Sequence, residues 1–391
     1  MNAADLANIT FVCALNRSWV PVNLTYSFNN YTNVLTLKPV GMDLTFDQVM
    51  LIKFGQEGKD ISFCNGFTYT AEQVDEALAE TYVRYELTSN QAPGVVEDLV
   101  AEFLLIDDDG SILVEITTQS DFDSNRTKLY RPPQPEFWNI SNYYSQKKLP
   151  KHKLFDFLQV DKEVFQYSIT NASGAVIYSS DPIRQLITDH FVMDSGHFSP
   201  NVANGKPFMG LGERAGRAQL KNQNDSVHTL WPQDAPNPID DGKAPGKNMY
   251  GYQPVYYFQS ETGDWMAVFD ISTYAADYFI NTMGPETRVT RVAVGGLVYK
   301  AFLQSNKSIE AVILKYQKLT GYQTVPPMWA FGWNQCKFGY VNDTVWWQVY
   351  EDYKKYNIPL DTMWADIDYM DDYKVFTISP ESYPNLTNRV A

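Results

Sequence analysis

The period of the hydrophobic pattern changes once along this chain, and that change limits what it can fold into. Up to about residue 305, apolar residues fall in short alternating runs separated by turn chemistry. Leu35-Thr36-Leu37 is one such run, and Ser111-Ile112-Leu113-Val114-Glu115-Ile116 follows the turn Asp107-Asp108-Asp109-Gly110. Val164-Phe165-Gln166-Tyr167-Ser168-Ile169 and Val176-Ile177-Tyr178 flank a turn at Asn171-Ala172-Ser173-Gly174. Period-two runs at this spacing predict an antiparallel β-sandwich. The aspartates at 107–109 read as a solvated hairpin tip and not as a calcium loop, because the EF-hand spacing is absent.

Beyond residue 305 the pattern becomes helical. Ser308 caps a run that continues at helical period to Gly321. Pro326-Pro327 breaks the chain, and Met328-Trp329-Ala330-Phe331-Gly332-Trp333 reads as an apolar strand. Asn342-Asp343-Thr344 opens a second helix with Trp346, Val349, Tyr350 and Tyr353 on one face, stopped by Asn357 and Pro359. The segment from Leu360 to Asp368 reads as the next strand. Strand, helix and strand joined by short turns predict a βαβ unit in a parallel sheet. The expected organisation is a β-sandwich region over 1–305, a linking helix over 306–325 and the start of a β/α domain over 326–391.

Composition narrows the partners. A net charge of −15 argues against a nucleic acid, whose phosphates need basic patches, and against a polybasic membrane contact. No apolar run approaches the roughly 20 residues that span a bilayer. Aromatic residues make up 15% of the chain, which suits both a β-rich core and the stacking of sugar rings on exposed aromatic faces.

N-x-Ser/Thr sequons occur at Asn8, Asn16, Asn23, Asn30, Asn125, Asn139, Asn171, Asn224, Asn306, Asn342 and Asn385. Chance placement would give roughly three. The excess points to the secretory pathway, with a lysosomal or extracellular destination, although residues 1–5 show no positive segment followed by an apolar one. Cys13 and Cys64 could pair in an oxidising compartment, while Cys336, inside an apolar strand pattern, is expected to be a buried thiol. The cysteine spacings give no metal motif, and no cofactor is implied.

The last expected strand carries the chemistry. Alternation would put Trp364, Asp366 and Asp368 on one face. Two carboxylates on an apolar strand are costly unless paired or used. They do not suit a retaining glycosidase pair, which must flank the scissile bond from opposite sides about 5–5.5 Å apart. Neighbours on one strand touch the same side of a sugar and suit hydroxyl binding. A strand-end capping role and a metal-binding Asp-x-Asp role are the other readings. Two further segments stand out upstream. Gly210-Leu211-Gly212-Glu213-Arg214-Ala215-Gly216 only superficially resembles a dinucleotide loop, because its last glycine is one residue late and no βαβ unit frames it. The Pro-rich loop from Thr229 to Pro238 holds Trp231 and Asp234, and reads either as a surface turn or as a rigid loop leaning into a pocket.

Taken in order, these segments resemble the glycoside hydrolase family 31 α-glucosidases. The resemblance is carried by Gly210-Leu211-Gly212-Glu213, Leu230-Trp231-Pro232-Gln233-Asp234, Asn248 to Tyr256, Pro326 to Tyr340, Trp364 to Met370 and Tyr373 to Thr377. It implies a galactose mutarotase-like β-sandwich followed by the first strands of a (β/α)8 barrel. It also implies retaining, exo-acting release of terminal α-linked glucose from an oligosaccharide. By the same resemblance Asp366 binds hydroxyls of the non-reducing-end glucose and Ile367 lines that subsite. Asp234 reaches the same sugar from the sandwich, and Phe338 borders the pocket where Tyr or Trp is common. Trp364, Asp368 and Trp333 are expected to support the pocket.

A closed barrel takes about 250 residues, more than 326–391 supplies. The family's nucleophile and acid/base aspartates are not found in this sequence, so no catalytic residue is expected here. The expectation is a truncated α-glucosidase, inactive alone and poorly soluble, with apolar faces such as Trp346 and Trp364 exposed. The alternatives are a non-catalytic carbohydrate-binding or interaction protein, and a metal-dependent glycosyltransferase using Asp366 and Asp368.

Overall fold

The computed structural model describes residues 9–15, 18–21, 24–29, 34–39, 50–54, 69–77, 80–90, 98–119, 149–181, 192–199, 208–214, 226–232, 248–271, 274–283, 286–293 and 298–390. The chain divides into two compact units, Met1–Thr320 and Gly321–Ala391.

The first unit opens with β1 (Ile9–Leu15), β2 (Ser18–Pro21), β3 (Leu24–Asn29), β4 (Val34–Pro39) and β5 (Met50–Phe54). These form a sheet in the order β2-β1-β5 and a β3-β4 hairpin. Next come β6 (Tyr69–Ala77), β7 (Tyr82–Ser89), β8 (Leu99–Leu105), β9 (Ile112–Thr118) and β10 (Leu158–Asp161). They are followed by β11 (Gln166–Thr170), β12 (Val176–Ser180), β13 (Val192–Phe198), β14 (Phe208–Arg214) and β15 (Ser226–Leu230). The last five are β16 (Asn248–Gln259), β17 (Trp265–Asp270), β18 (Ala276–Met283), β19 (Glu286–Ala293) and β20 (Val298–Ser305).

The fifteen strands from β6 to β20 make two antiparallel sheets. One has seven strands in the order β10-β11-β12-β13-β19-β18-β15, and the other eight in the order β14-β16-β17-β20-β9-β8-β7-β6. The inner faces pack as a sandwich through aromatic pairs that cross between sheets. Phe103 meets Tyr167 edge-on at 5.2 Å, Tyr178 meets Phe302 at 4.7 Å and Phe198 stacks on Phe258 at 4.3 Å. The expected hairpin at Asn171 is present. The Asn171 Oδ1 accepts from the backbone N–H groups of Ser173 and Ala175, and Gly174 takes the left-handed conformation the turn needs.

Every residue of β20 is buried, because both faces of that strand are covered. Helix α1 (Ile309–Thr320) lies over the outer face, with Val312 and Leu319 packed against Tyr299, Ala301 and Leu303. Ser308 Oγ accepts from the Ala311 N–H at its start, and Gly321, at φ +94°, ends it. Lys315 reaches from this helix to the β8–β9 turn, placing its ammonium 2.8 Å from both Asp107 and Asp109. The acidic tip is thus neutralised by a lysine of the same unit.

A charged layer sits inside the sandwich. Asp194 pairs with Arg291 across β13 and β19, and Asp270 with Lys300 across β17 and β20. The Arg291 guanidinium donates to Asp194 at 3.2 Å, while the Lys300 ammonium donates to Asp194 and lies 3.5 Å from Asp270. Tyr278 donates to Asp270 at 2.8 Å. All five residues are buried, so the charges compensate one another in place of water.

The second unit contains β21 (Asn334–Gln335), helix α2 (Asp343–Lys355), β22 (Thr362–Met363) and helix α3 (Leu386–Val390). The two short strands are parallel, with Asn334 opposite Thr362 and Gln335 opposite Met363, which is the expected βαβ connection. Asn342 caps α2 by accepting from the Val345 N–H at 2.9 Å, and Trp346 buries the helix face against Tyr340 and Tyr383. Trp346 is therefore buried, against the expectation that it would be exposed.

Neither expected strand of this unit forms as read: no residue of 328–333 is in a strand, the pairing residues being Asn334–Gln335 just beyond it, and 360–368 keeps only Thr362–Met363. Met328–Phe331 is a single 3-10 turn, closed by the Ala330 N–H on the Pro327 carbonyl, and its large side chains Met328, Trp329 and Phe331 are all exposed. The Pro-Pro pair imposes that turn, and the run has no β-branched residue to resist it.

Candidate functional site

Two loops leave the C-terminal ends of the neighbouring parallel strands β21 and β22. The first carries Cys336, Phe338 and Gly339, and the second Trp364, Asp366, Ile367 and Asp368. The expectation that Trp364, Asp366 and Asp368 share one strand face is overturned. The strand ends at Met363, and Asp366 has φ +55°, a left-handed conformation that breaks alternation. Aspartate tolerates that conformation better than most residues. The apolar residues around the carboxylates imitate a strand that the turn-forming Asp-Ile-Asp sequence interrupts.

The two aspartates consequently do different things. Asp366 is half-buried; its Oδ1 accepts the Ile367 N–H at 2.8 Å and its Oδ2 faces the Cys336 thiol at 3.5 Å. A thiol is a weak donor, so this carboxylate keeps acceptor capacity for hydroxyl groups. Asp368 turns to the other loop, where its Oδ2 accepts the Gly339 N–H at 2.7 Å. Asp368 thereby fixes the turn beside Phe338. Ile367 and Phe338 are exposed, at 40% and 62%.

Trp333 and Trp364 present aromatic faces while their indole N–H groups are tied down. Trp333 Nε1 donates to Tyr353 Oη at 2.8 Å, and Trp364 Nε1 donates to Asn334 Oδ1 at 3.1 Å. The chain of hydrogen bonds continues from Tyr353 Oη to Gln335 Oε1 at 2.6 Å and from Gln335 Nε2 to Tyr340 Oη at 2.9 Å. Asp361 Oδ2 accepts the Trp333 N–H at 2.9 Å in space that Gly332 leaves open; a Cβ there would lie 2.1 Å from that oxygen. The supporting hydrogen bonds of Asn334, Gln335, Tyr353 and Asp361 were not expected from the sequence. Two adjacent amides inside an apolar run were the available signal.

Cys336 is exposed and free, which corrects the buried thiol expected from its pattern. Partial desolvation, then the hydrogen bond and charge of Asp366, push its pKa up. Asp234 and Cys64 lie outside the described residues, and Cys13 lies in β1, whose side chains are not described. Gly210–Arg214 belongs to the antiparallel edge strand β14, paired with β16, and not to a strand-to-helix phosphate loop. Among the described residues no three His, Cys, Asp or Glu side chains gather to hold a metal ion. Asp366 and Asp368 are instead engaged with separate donors.

Comparison with known proteins agrees with this layout. Residues 323–391 match the family model described as the glycosyl hydrolases family 31 TIM-barrel domain. Glucoamylase 1 of Schwanniomyces occidentalis is 33% identical over 232 residues, covering 56% of this chain and 22% of that protein. A probable alpha/beta-glucosidase of Arthroderma benhamiae is 26% identical over 275 residues, covering 70% of this chain and 30% of that protein. The crystal structure of a glucosidase II alpha subunit superposes with a TM-score of 0.63 at 15% identity, over 82% of this chain and 41% of that one. That likeness shows the fold. The chain matches less than a third of the length of these two curated relatives. The βαβ opening lies within residues 323–391, the stretch that is similar to the TIM-barrel domain of glycosyl hydrolases family 31.

Proposed function

We propose that this chain supplies the glucose-gripping part of a retaining exo-α-glucosidase that releases terminal α-linked glucose from oligosaccharides. The observation that carries this reading is the shared origin of Asp366 and Phe338, each just beyond the C-terminal end of a parallel strand. That end of a (β/α)8 barrel is where active sites are built. Asp366 accepts sugar hydroxyls, Ile367 and Phe338 border the ring, and Trp333 and Trp364 offer it aromatic faces. Asp368 holds the Phe338 loop and does not touch substrate. Asp234 enters this assignment through the family resemblance alone, as does the mutarotase-like character of the sandwich.

In this reading residues 1–391 bind and do not cut. Double displacement needs two carboxylates facing each other across the bond, and Asp366 and Asp368 turn to different partners. The sequons further support passage through the secretory pathway, to a lysosomal or extracellular destination.

Titration of the chain with maltotriose, followed by tryptophan fluorescence, tests the assignment. A saturable change that Asp366→Asn abolishes and Asp368→Asn only weakens is expected, with no turnover of p-nitrophenyl α-glucoside. Equal binding by wild type and Asp366→Asn would overturn the role of Asp366. Turnover that survives purification would overturn the division between binding and cutting.

A further inference from the structure

Four of the sequons have acceptors among the described residues, and the fold separates them. Asn171 is only 5% exposed, and both hydrogens of its amide are used: Nδ2 donates to Thr262 Oγ1 at 3.2 Å and to Asp264 Oδ2 at 2.7 Å. A glycan on Nδ2 replaces one of those hydrogens and has no room. Asn342 is half-buried as the cap of α2, and its Thr344 already lies inside that helix. Asn385 is exposed, but its backbone N–H is held by Asp343 and its Thr387 lies inside α3. Asn306-Lys307-Ser308 differs from all three. Asn306 is exposed on the bend after β20, and the whole triplet lies between Ser305 and Ile309, outside strand and helix.

We propose that Asn306 is an N-glycan attachment site and that Asn171 stays unmodified in the folded protein. The proposal rests on the secretory reading above. The co-reactant is a lipid-pyrophosphate-linked oligosaccharide. Asn306 Nδ2 attacks the anomeric carbon, a C–N bond forms, the C–O bond to pyrophosphate breaks, and the lipid pyrophosphate leaves with the electron pair. The amide gives up one proton. Asn306 tolerates the loss of that hydrogen, because its side chain stands in solvent. At Asn171 the same change removes a bond that ties the β11–β12 turn to the β16–β17 turn, so chains modified there lose the fold.

The test uses protein purified from the cells that make it, treated with peptide N-glycosidase and digested for mass spectrometry. The enzyme converts a glycosylated asparagine to aspartate, a mass gain of about 1 Da that marks each occupied site. The expected result is conversion at Asn306 and none at Asn171, with Asn306→Gln lowering the mass of the intact protein by one glycan. An unmodified Asn306 beside other occupied sequons overturns this proposal and leaves the secretory reading standing. An absence of glycan at every sequon overturns both. Conversion at Asn171 in soluble protein overturns the argument from its buried amide.

Discussion

The thiol of Cys336 faces Oδ2 of Asp366 at 3.5 Å, so the residue after β21 touches the carboxylate carried beyond β22. This contact joins the two candidate loops through an exposed, chemically addressable group.

Its first consequence is a pH profile. Because desolvation and the adjacent Asp366 disfavour the thiolate, Cys336 reacts with iodoacetamide only at higher pH than an ordinary thiol, whose pKa is about 8.5. Asp366→Asn removes the charge, and the midpoint of the alkylation profile moves down. Maltotriose bound at Asp366 slows the reaction. Identical profiles for wild type and Asp366→Asn, read by mass spectrometry, would show that the two groups do not sense each other.

Asp368 gives the second prediction. Its carboxylate holds the Gly339 N–H at 2.7 Å, a charge-assisted bond between the loops. Asp368→Ala frees that amide, and its hydrogen exchange accelerates by about tenfold or more, in line with a bond worth about 1.5–3 kcal/mol. Maltotriose affinity falls because Phe338 is no longer held, while Asp368→Asn, which keeps an acceptor oxygen, retains part of both. Unchanged exchange at Gly339 would remove Asp368 from its supporting role.

The legible and illegible parts of the chain divide along physical lines. Sandwich strands such as Gln166–Thr170 were readable because alternate side chains are buried, and because turn chemistry such as Asn171-Ala172-Ser173-Gly174 marks their ends. Helix α2 was readable from its cap at Asn342 and its apolar stripe. The barrel-opening strands were overestimated. Trp329, Phe331 and Trp364 are apolar but exposed, so hydrophobicity there does not report burial. Cys336 was misread for the same reason. The left-handed turn at Asp366 left no trace in the pattern, because Asp, Ile, Asp reads equally well as strand or turn. The charged layer of Asp194, Arg291, Lys300 and Asp270 was also invisible, since it arises from two cross-strand registers that meet only when the sheets pack.

That layer supplies the third prediction. Asp194 compensates both Arg291 and Lys300, and its side chain is only 4% exposed. Asp194→Ala leaves two cations buried with one carboxylate between them, and is expected to cost about 3–5 kcal/mol in urea unfolding followed by circular dichroism. Removing both charges of one contact, as in Asp194→Leu with Lys300→Met, recovers part of that loss. A cost below about 1 kcal/mol for Asp194→Ala would mean that water reaches the layer.

His228 gives the last prediction, and its sign follows from burial. The ring is fully buried on β15, and desolvation, then the nearby Arg214 guanidinium, lower its pKa from 6.5 to about 3. Between those values the unfolded chain binds a proton that the folded chain refuses, so stability is lost as pH falls through the window. Above pH 6.5 the ring is neutral in both states and contributes no slope. Relative to His228→Gln, the wild type therefore loses up to about 1.4 kcal/mol per pH unit as the solution is acidified below 6.5. Urea unfolding of both proteins at half-unit intervals from pH 7 to 4 measures the difference directly, and carboxylates common to both cancel. A difference that stays constant over that range would show that the folded ring takes up its proton as readily as the unfolded one.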